Sequence, residues 1–210
     1  MKRSRAESVD LFASSGPRRA NLPVTDGASV RVIERWMEHG EALFALSELI
    51  HNTPWNHAPV VMAGREVMQP RLTASYGDLG LRYRYSGTIN VAHHWTPTLL
   101  RIRDLVAKEI NQSPNFVLLN MYRDGNDSIG WHSDDERDLG ENPTICSLSL
   151  GCTRRFMFKH KRNGQYISND LQSGTLMIMS GATQQHYAHH IPKEPGAGAR
   201  VSLTFRKIIH

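Results

Sequence analysis

The chain has 210 residues, 40% of them hydrophobic, enough for one domain with a single core of ordinary size. No apolar run approaches the roughly 20 residues of a membrane span, and the basic start Met1-Lys2-Arg3-Ser4-Arg5 leads into no apolar segment like that of a secretory leader. A formal charge of +5 and a pI near 9.4 favour polyanionic partners such as nucleic acid, while Cys146 and Cys152, outside any CxxC pair, read as reduced structural thiols.

Residues 1–28 are polar, rich in Ser, Arg, Gly and Pro, and read as a flexible arm or a loose strap ahead of a single domain over 29–210. A short extended piece at Val30 and Val32 precedes a helix expected over 38–50, with Leu43, Leu46 and Ile50 at helical spacing. Residues 55–95 are turn-rich and interleave Trp55, Tyr76, Tyr83, Tyr85 and Trp95 with Arg65, Arg71, Arg82 and Arg84. A second helix is expected over 97–109, with Pro97 in its first turn and Leu99, Ile102, Val106 and Ile110 along one face. The pattern then changes to strands, expected at 116–122, 144–150, 156–159, 175–179 and 200–208, with turn pairs such as Asp124-Gly125 and Asn163-Gly164 between them. Two helices followed by antiparallel strands predict an α+β, mainly β fold: a double-sheet jelly roll with the helices packed on one sheet.

Trp131-His132-Ser133-Asp134 is the most informative stretch. An imidazole and a carboxylate two residues apart point the same way on an extended backbone. They are two thirds of a facial iron site, in which two neutral imidazoles and one carboxylate leave the opposite positions open for oxygen and a co-substrate. The third ligand must come from His186, His189 or His190. An isolated His-x-Asp pair is more often a surface feature than a ligand pair, and zinc on His186 and His189 is a further alternative. The pair gains weight from Arg200-Val201-Ser202-Leu203-Thr204-Phe205-Arg206, where polar and apolar residues alternate with period two. Its two arginines, roughly 20 Å apart along a strand at about 3.3 Å per residue, can reach opposite ends of a short diacid with their planar, permanently charged forks. Asn120 and Tyr122, also two apart, are placed to complete such a pocket.

With these residues in view, from about Trp55 to His210, the chain resembles the AlkB family of iron- and 2-oxoglutarate-dependent dioxygenases. The resemblance is dense across Asn115–Gly125, His132–Glu136 and Arg200–Lys207, and it joins N-x-Y, H-x-D, a histidine ahead of a proline and R-x5-R. It implies a double-stranded β-helix core over about 115–210 and an N-terminal nucleotide-recognition lid over about 55–95. His189, in His189-His190-Ile191-Pro192, takes the place of the second iron histidine, so that His132, Asp134 and His189 hold Fe(II). Asn120, Tyr122, Arg200, Ser202, Thr204 and Arg206 fall on co-substrate positions, Ser202 where many members carry asparagine. Asp135 matches a residue near the target base, and Arg71, Tyr83, Tyr85 and Ser86 match the lid. Ser75-Tyr76-Gly77-Asp78 and Tyr85-Ser86-Gly87 resemble the branch that repairs alkylated nucleic acid.

The implied activity is oxidative demethylation of bases such as 1-methyladenine and 3-methylcytosine, using Fe(II), 2-oxoglutarate and O2. The expected substrate is alkylated DNA, with RNA beside it. A cytoplasmic monomer (nuclear in a eukaryote) with no membrane association is expected. The loop Met62-Ala63-Gly64-Arg65 lacks the aromatic wedge of relatives that prefer duplex DNA. The alternatives are a non-catalytic nucleic-acid-binding module and an oxygenase of the same chemistry acting on protein or a small molecule.

Overall fold

The computed structural model describes residues 16–57, 59–62, 65–85 and 88–209, with the backbone alone over 60–62, 82–85 and 88–91. An eight-stranded sheet runs β1 (Arg18–Asn21), β2 (Ala28–Glu34), β14 (Thr175–Gly181), β11 (Ile145–Gly151), β16 (Arg200–Arg206), β9 (Phe116–Tyr122), β5 (Leu72–Gly77) and β8 (His93–His94). Four strands form the facing sheet: β10 (Ile129–His132), β15 (Tyr187–Ile191), β12 (Arg154–His160) and β13 (Tyr166–Leu171). Two hairpins stand apart, β3 (Pro59–Met62) with β4 (Arg65–Met68) and β6 (Arg82–Tyr85) with β7 (Thr88–Val91). The helices are α1 (His39–Asn52), α2 (Pro97–Ile110) and the single turn α3 (Thr183–His186).

Period-two alternation divides the core into two layers. Val117, Leu119, Leu148, Val201, Leu203 and Phe205 face the helices, while Phe116, Leu118, Tyr122, Met177 and Met179 face the small sheet. Each such side chain, fully buried, contributes about 1.5–3 kcal/mol. Both layers are therefore needed to hold the large sheet, and the space between the sheets is where polar side chains can be enclosed.

Helix α2 matches its expected face: Leu99, Ile102 and Val106 are buried. It starts where Thr96 Oγ1 accepts the Leu99 N–H at 3.2 Å ahead of Pro97, and ends at Asn111 in the left-handed conformation. Helix α1 departs from expectation. Its buried residues are Ala42, Ala45 and Leu49, whereas Leu43 is 49% exposed. The helix lies on β11 and β16, and small alanines allow that close approach where leucines would hold it off.

Three further corrections concern strands. The arm expected over 1–28 includes β1, which pairs antiparallel with β2 from Arg18↔Glu34 to Asn21↔Arg31, so the chain is built into the sheet edge by residue 18. Strands β10, β13 and β15 carry too few apolar residues to announce themselves. The last strand stops at Arg206 rather than 208.

Candidate active site

His132 and His189 are directly opposed across the β10–β15 pair, next to an irregularity in register between Ile129 and His132. Their rings meet edge to face at 4.3 Å. Asp134 does not lie on the extended strand as expected. The strand ends at His132, and the loop turns the carboxylate inward to 2% exposure, where its backbone N–H donates to Gln184 Oε1 at 2.9 Å. One donor atom from each of His132, Asp134 and His189 lies within 4.8 Å of the others. His190 is the alternate residue of β15 and stacks on Trp131 at 3.9 Å instead, and His186 sits beside Asp26 and His160.

The electrostatics favour a ligand set. Burial, opposed by Asp134 and by the Gly130 carbonyl, holds the His132 imidazole below its ordinary value. Burial, reinforced by His132, brings His189 down to about 3. Both rings are therefore neutral near pH 7. His132 Nδ1 donates to Gly130 O at 2.8 Å, so the proton sits there and Nε2 keeps its lone pair. His189 Nδ1 is buried with no hydrogen-bond partner, and its Nε2 is 3.9 Å from Asp134 Oδ2. A fully enclosed imidazole without hydrogen bonds is costly to keep unless something else takes its lone pair. For Asp134, burial pushes the carboxyl up, but the Arg206 guanidinium opposes it, and the balance holds the group below its ordinary value and ionised. Arg206 Nη2 donates to Asp134 Oδ1 at 2.6 Å. Two neutral imidazoles and one ionised carboxylate, with His189 Nε2 turned toward that carboxylate, fit a divalent ion.

Register arranges the rest of the pocket. Tyr122 pairs with Arg200 and Asn120 with Ser202 across β9–β16; Ser202 pairs with Ser149 and Thr204 with Ser147 across β11–β16. Asn120, Tyr122, Ser202, Thr204 and Arg206 line the cavity with the three metal-type residues. All seven residues of β16 are buried. Of its polar face, Ser202, Thr204 and Arg206 line the cavity, while Arg200 is enclosed without lining it. Arg200 is fully buried beside Tyr122, its guanidinium 5.2 Å from the ring centroid, and its Nη2 donates to Ser149 Oγ at 2.7 Å.

The residues expected at the target fall in different places. Asp135 is exposed, 3.7 Å from Lys161 Nζ. Arg71 is buried, its Nε donating to Asn120 Oδ1 at 2.7 Å. Tyr83 and Tyr85 lie on β6, but their side chains, like Ser86 and Ala63, are outside the described residues. Trp55 packs on the helix-side core and donates to Ile50 O, which is a structural role. In the run Lys159-His160-Lys161-Arg162, His160 is buried, and Lys161 Nζ donates to Gln184 O at 2.8 Å.

Sequence reasoning missed Ser147, Phe156, Met179 and Gln184. The first three line the cavity, and Gln184 fixes the Asp134 backbone. Ser147 had a readable signal, the alternation of its strand; Met179, in the uniformly apolar run 176–179, and Gln184, on a single helical turn, had none.

The chain matches the 2OG-Fe(II) oxygenase superfamily over residues 29–206. It is 36% identical to the human protein "Alpha-ketoglutarate-dependent dioxygenase alkB homolog 3" over 97% of this chain and 74% of that protein. It is 40% identical to the mouse "DNA oxidative demethylase ALKBH2" over 72% of this chain and 67% of that protein. Among solved structures, OsALKBH1 superimposes with a TM-score of 0.65 at 15% identity, covering 90% of this chain and all of that one, a likeness of fold.

Proposed function

The chain belongs to the 2OG-Fe(II) oxygenase superfamily, and on that premise we propose that it is an oxidative demethylase of N-alkylated bases in nucleic acid. Its cofactor is Fe(II), its co-substrate 2-oxoglutarate and its oxidant O2. Fe(II) held there would supply oxidation by O2, one oxygen atom going into succinate as 2-oxoglutarate loses carbon dioxide and the other into a hydroxyl on the N-alkyl carbon, and the resulting hemiaminal would release an aldehyde and the intact base.

In this reading His132, Asp134 and His189 hold the iron. The His132 Nδ1–H···O=C bond to Gly130 fixes the tautomer that can ligate. Arg206 keeps Asp134 ionised and holds one of its oxygens in place. Asn120, Tyr122, Ser202, Thr204 and Arg206 orient the co-substrate, with Arg200 as the charge at its far end. Arg71, through Asn120, stiffens the wall that the target approaches. Asp135, Tyr83, Tyr85 and Ser86 meet the base.

The reactive atom of 1-methyladenine or 3-methylcytosine lies on the pairing edge, so the base must be single-stranded or turned out of a duplex. DNA is the proposed substrate and RNA the second, and the protein acts as a monomer wherever the nucleic acid is kept, in the cytoplasm or, in a eukaryote, the nucleus. The absence of an aromatic wedge at Ala63 favours single strands. Among the described residues no helix is long and apolar enough to cross a membrane.

The observation that carries the proposal is the enclosed His132–Asp134–His189 group with Arg206 on its carboxylate. The test is turnover of N1-methyladenine in single- and double-stranded oligonucleotides, read as formaldehyde and succinate, with His132→Ala as the control. Release of both products, faster from the single strand, is expected. Succinate formed while neither oligonucleotide loses its methyl group would reject a base as the target.

A further inference from the structure

Arg154, the first residue of β12, is fully buried and takes no part in the ligand set. Its Nη2 donates to Asp127 O at 2.8 Å and Pro192 O at 2.6 Å, and its Nη1 to Asp124 O at 3.3 Å. It thereby ties the turn after β9 to the segment after β15. That junction is tight: a Cβ on Gly125 would meet Glu194 O at 1.9 Å. The guanidinium also lies 5.4 Å from the Tyr122 ring centroid, the ring that Arg200 approaches to 5.2 Å.

Three carbonyl dipoles satisfy donors but do not neutralise a charge. Among the described residues the nearest carboxylate is Glu194, 3.6 Å from Nε and 44% exposed, so solvent weakens its charge without cancelling it. Asp127 does not help, because both of its oxygens are held by Arg123 at 2.8 and 2.9 Å. Arg200 has no carboxylate partner within 4 Å among the described residues, and its Nε and Nη1 are buried without a partner. Two enclosed guanidiniums thus share one tyrosine with little counter-charge. Such an arrangement is unfavourable until an anion arrives, and an anion placed there gains from both charges.

We propose that Arg154 is a positioning residue that makes the pocket select a dianionic over a monoanionic 2-oxo acid, by holding Tyr122 and raising the positive potential around Arg200. This rests on the reading of the cavity as a co-substrate pocket. The Arg154 fork does not touch the acid. It acts through the ring and through the two backbone segments it joins.

The test measures dissociation constants of 2-oxoglutarate and of the monoanionic 2-oxobutyrate by calorimetry, on Fe(II)-loaded protein without oxygen. Arg154→Gln should weaken 2-oxoglutarate by about tenfold and leave 2-oxobutyrate within about twofold, while Arg154→Lys, which keeps the charge, should lose only about threefold for the diacid. Equal weakening of both acids, or an Arg154→Lys defect as large as that of Arg154→Gln, overturns the proposal. Should Arg154→Gln fail to fold, Glu194→Gln decides. It should tighten the diacid by about twofold and leave the monoacid unchanged, and a diacid affinity equal to wild type overturns the idea. Wild-type protein that binds neither acid would overturn the pocket reading itself, and the proposal with it.

Discussion

Asp26, His160 and His186 repeat the residue types of His132, Asp134 and His189, and in both groups the donor atoms lie within 4.8 Å of one another. The hydrogen bonds behind the rings separate the two. His160 Nδ1 accepts the backbone N–H groups of Arg162 and Asn163, each at 3.2 Å, so its proton is on Nε2, where it is donated to Asp26 Oδ2 at 2.7 Å. A metal at that Nε2 would have to create an imidazolate. His132 is wired in reverse, with its proton on Nδ1 and the lone pair left on Nε2. The carboxylates differ too: Asp134 is enclosed and braced by Arg206, whereas the Asp26 side chain is 46% exposed. Closeness of donor types does not define a metal centre; the tautomer fixed by the outer hydrogen bonds does.

The largest expected effect tests that contrast directly. Asp134→Ala or His189→Ala should abolish Fe(II) binding and lower turnover by about a thousandfold or more, while His160→Ala should bind Fe(II) like wild type. Binding is read by equilibrium dialysis and turnover by succinate release. Equal iron loss in the two groups would erase the distinction. Next is Arg206→Gln, which leaves Asp134 enclosed without its cation. Breaking a buried pair in this way should cost about 3–5 kcal/mol of stability in urea denaturation of metal-free protein. The deficit should shrink when a divalent ion is present, because the ion supplies the missing positive charge.

The same wiring sets a pH dependence. Burial, with His132, depresses the folded His189 value to about 3, against about 6.5 in an unfolded chain. Between those values the unfolded state takes up a proton that the folded state refuses, so stability falls as pH falls through the window. From pH 7.5 to pH 5 metal-free protein should lose about 2 kcal/mol from this group alone. His132 is depressed for the same reason, burial, and adds in the same direction. Asp134, whose folded value is also lowered, acts oppositely to neither: its contribution holds above its unfolded value and is lost only as pH falls through the folded one, below this window. Urea midpoints against pH measure the slope. A flat profile from pH 7.5 to 5 would mean that His189 protonates in place.

Much of this was legible beforehand. The alternation in 200–206 named the four polar residues of β16, and the register of β9 then set Asn120 and Tyr122 opposite Ser202 and Arg200. Alternation alone could not say whether the polar face meets water or a cavity, because both select polar side chains. His189 could be chosen only by resemblance; among three nearby histidines, the pairing of β15 with β10 decides which one faces His132. The burial of Leu43 was misjudged because spacing marks a helical stripe without saying how closely the helix approaches its sheet. The Asp26–His160–His186 group was invisible, since its tautomer depends on backbone N–H groups of a turn.

Within the second group the expected effects are smaller. His160→Ala removes a ring at 1% exposure, opens space beneath Tyr187, and leaves two backbone N–H groups without their acceptor. A loss of about 1–2 kcal/mol with unchanged turnover should follow, read by urea denaturation beside the succinate assay.

His186→Ala should do least. Its ring lies parallel to that of His160, but with centroids 6.1 Å apart. The hydrogen bond that matters at this residue comes from its backbone carbonyl, which accepts the Lys161 N–H at 2.8 Å and survives the substitution. A half-buried side chain without such a tie should change stability by about 0.5 kcal/mol or less. The sharper readout is metal stoichiometry. Co(II) titration should end at one equivalent in wild type and in His186→Ala alike, because, of the two groups found among the described residues, the one at His132 has its ring proton held away from the carboxylate and the one at His160 does not. A second equivalent that vanishes with His186→Ala would show that the His160 proton can be displaced after all, and that the hydrogen bonds behind a ring do not veto a metal.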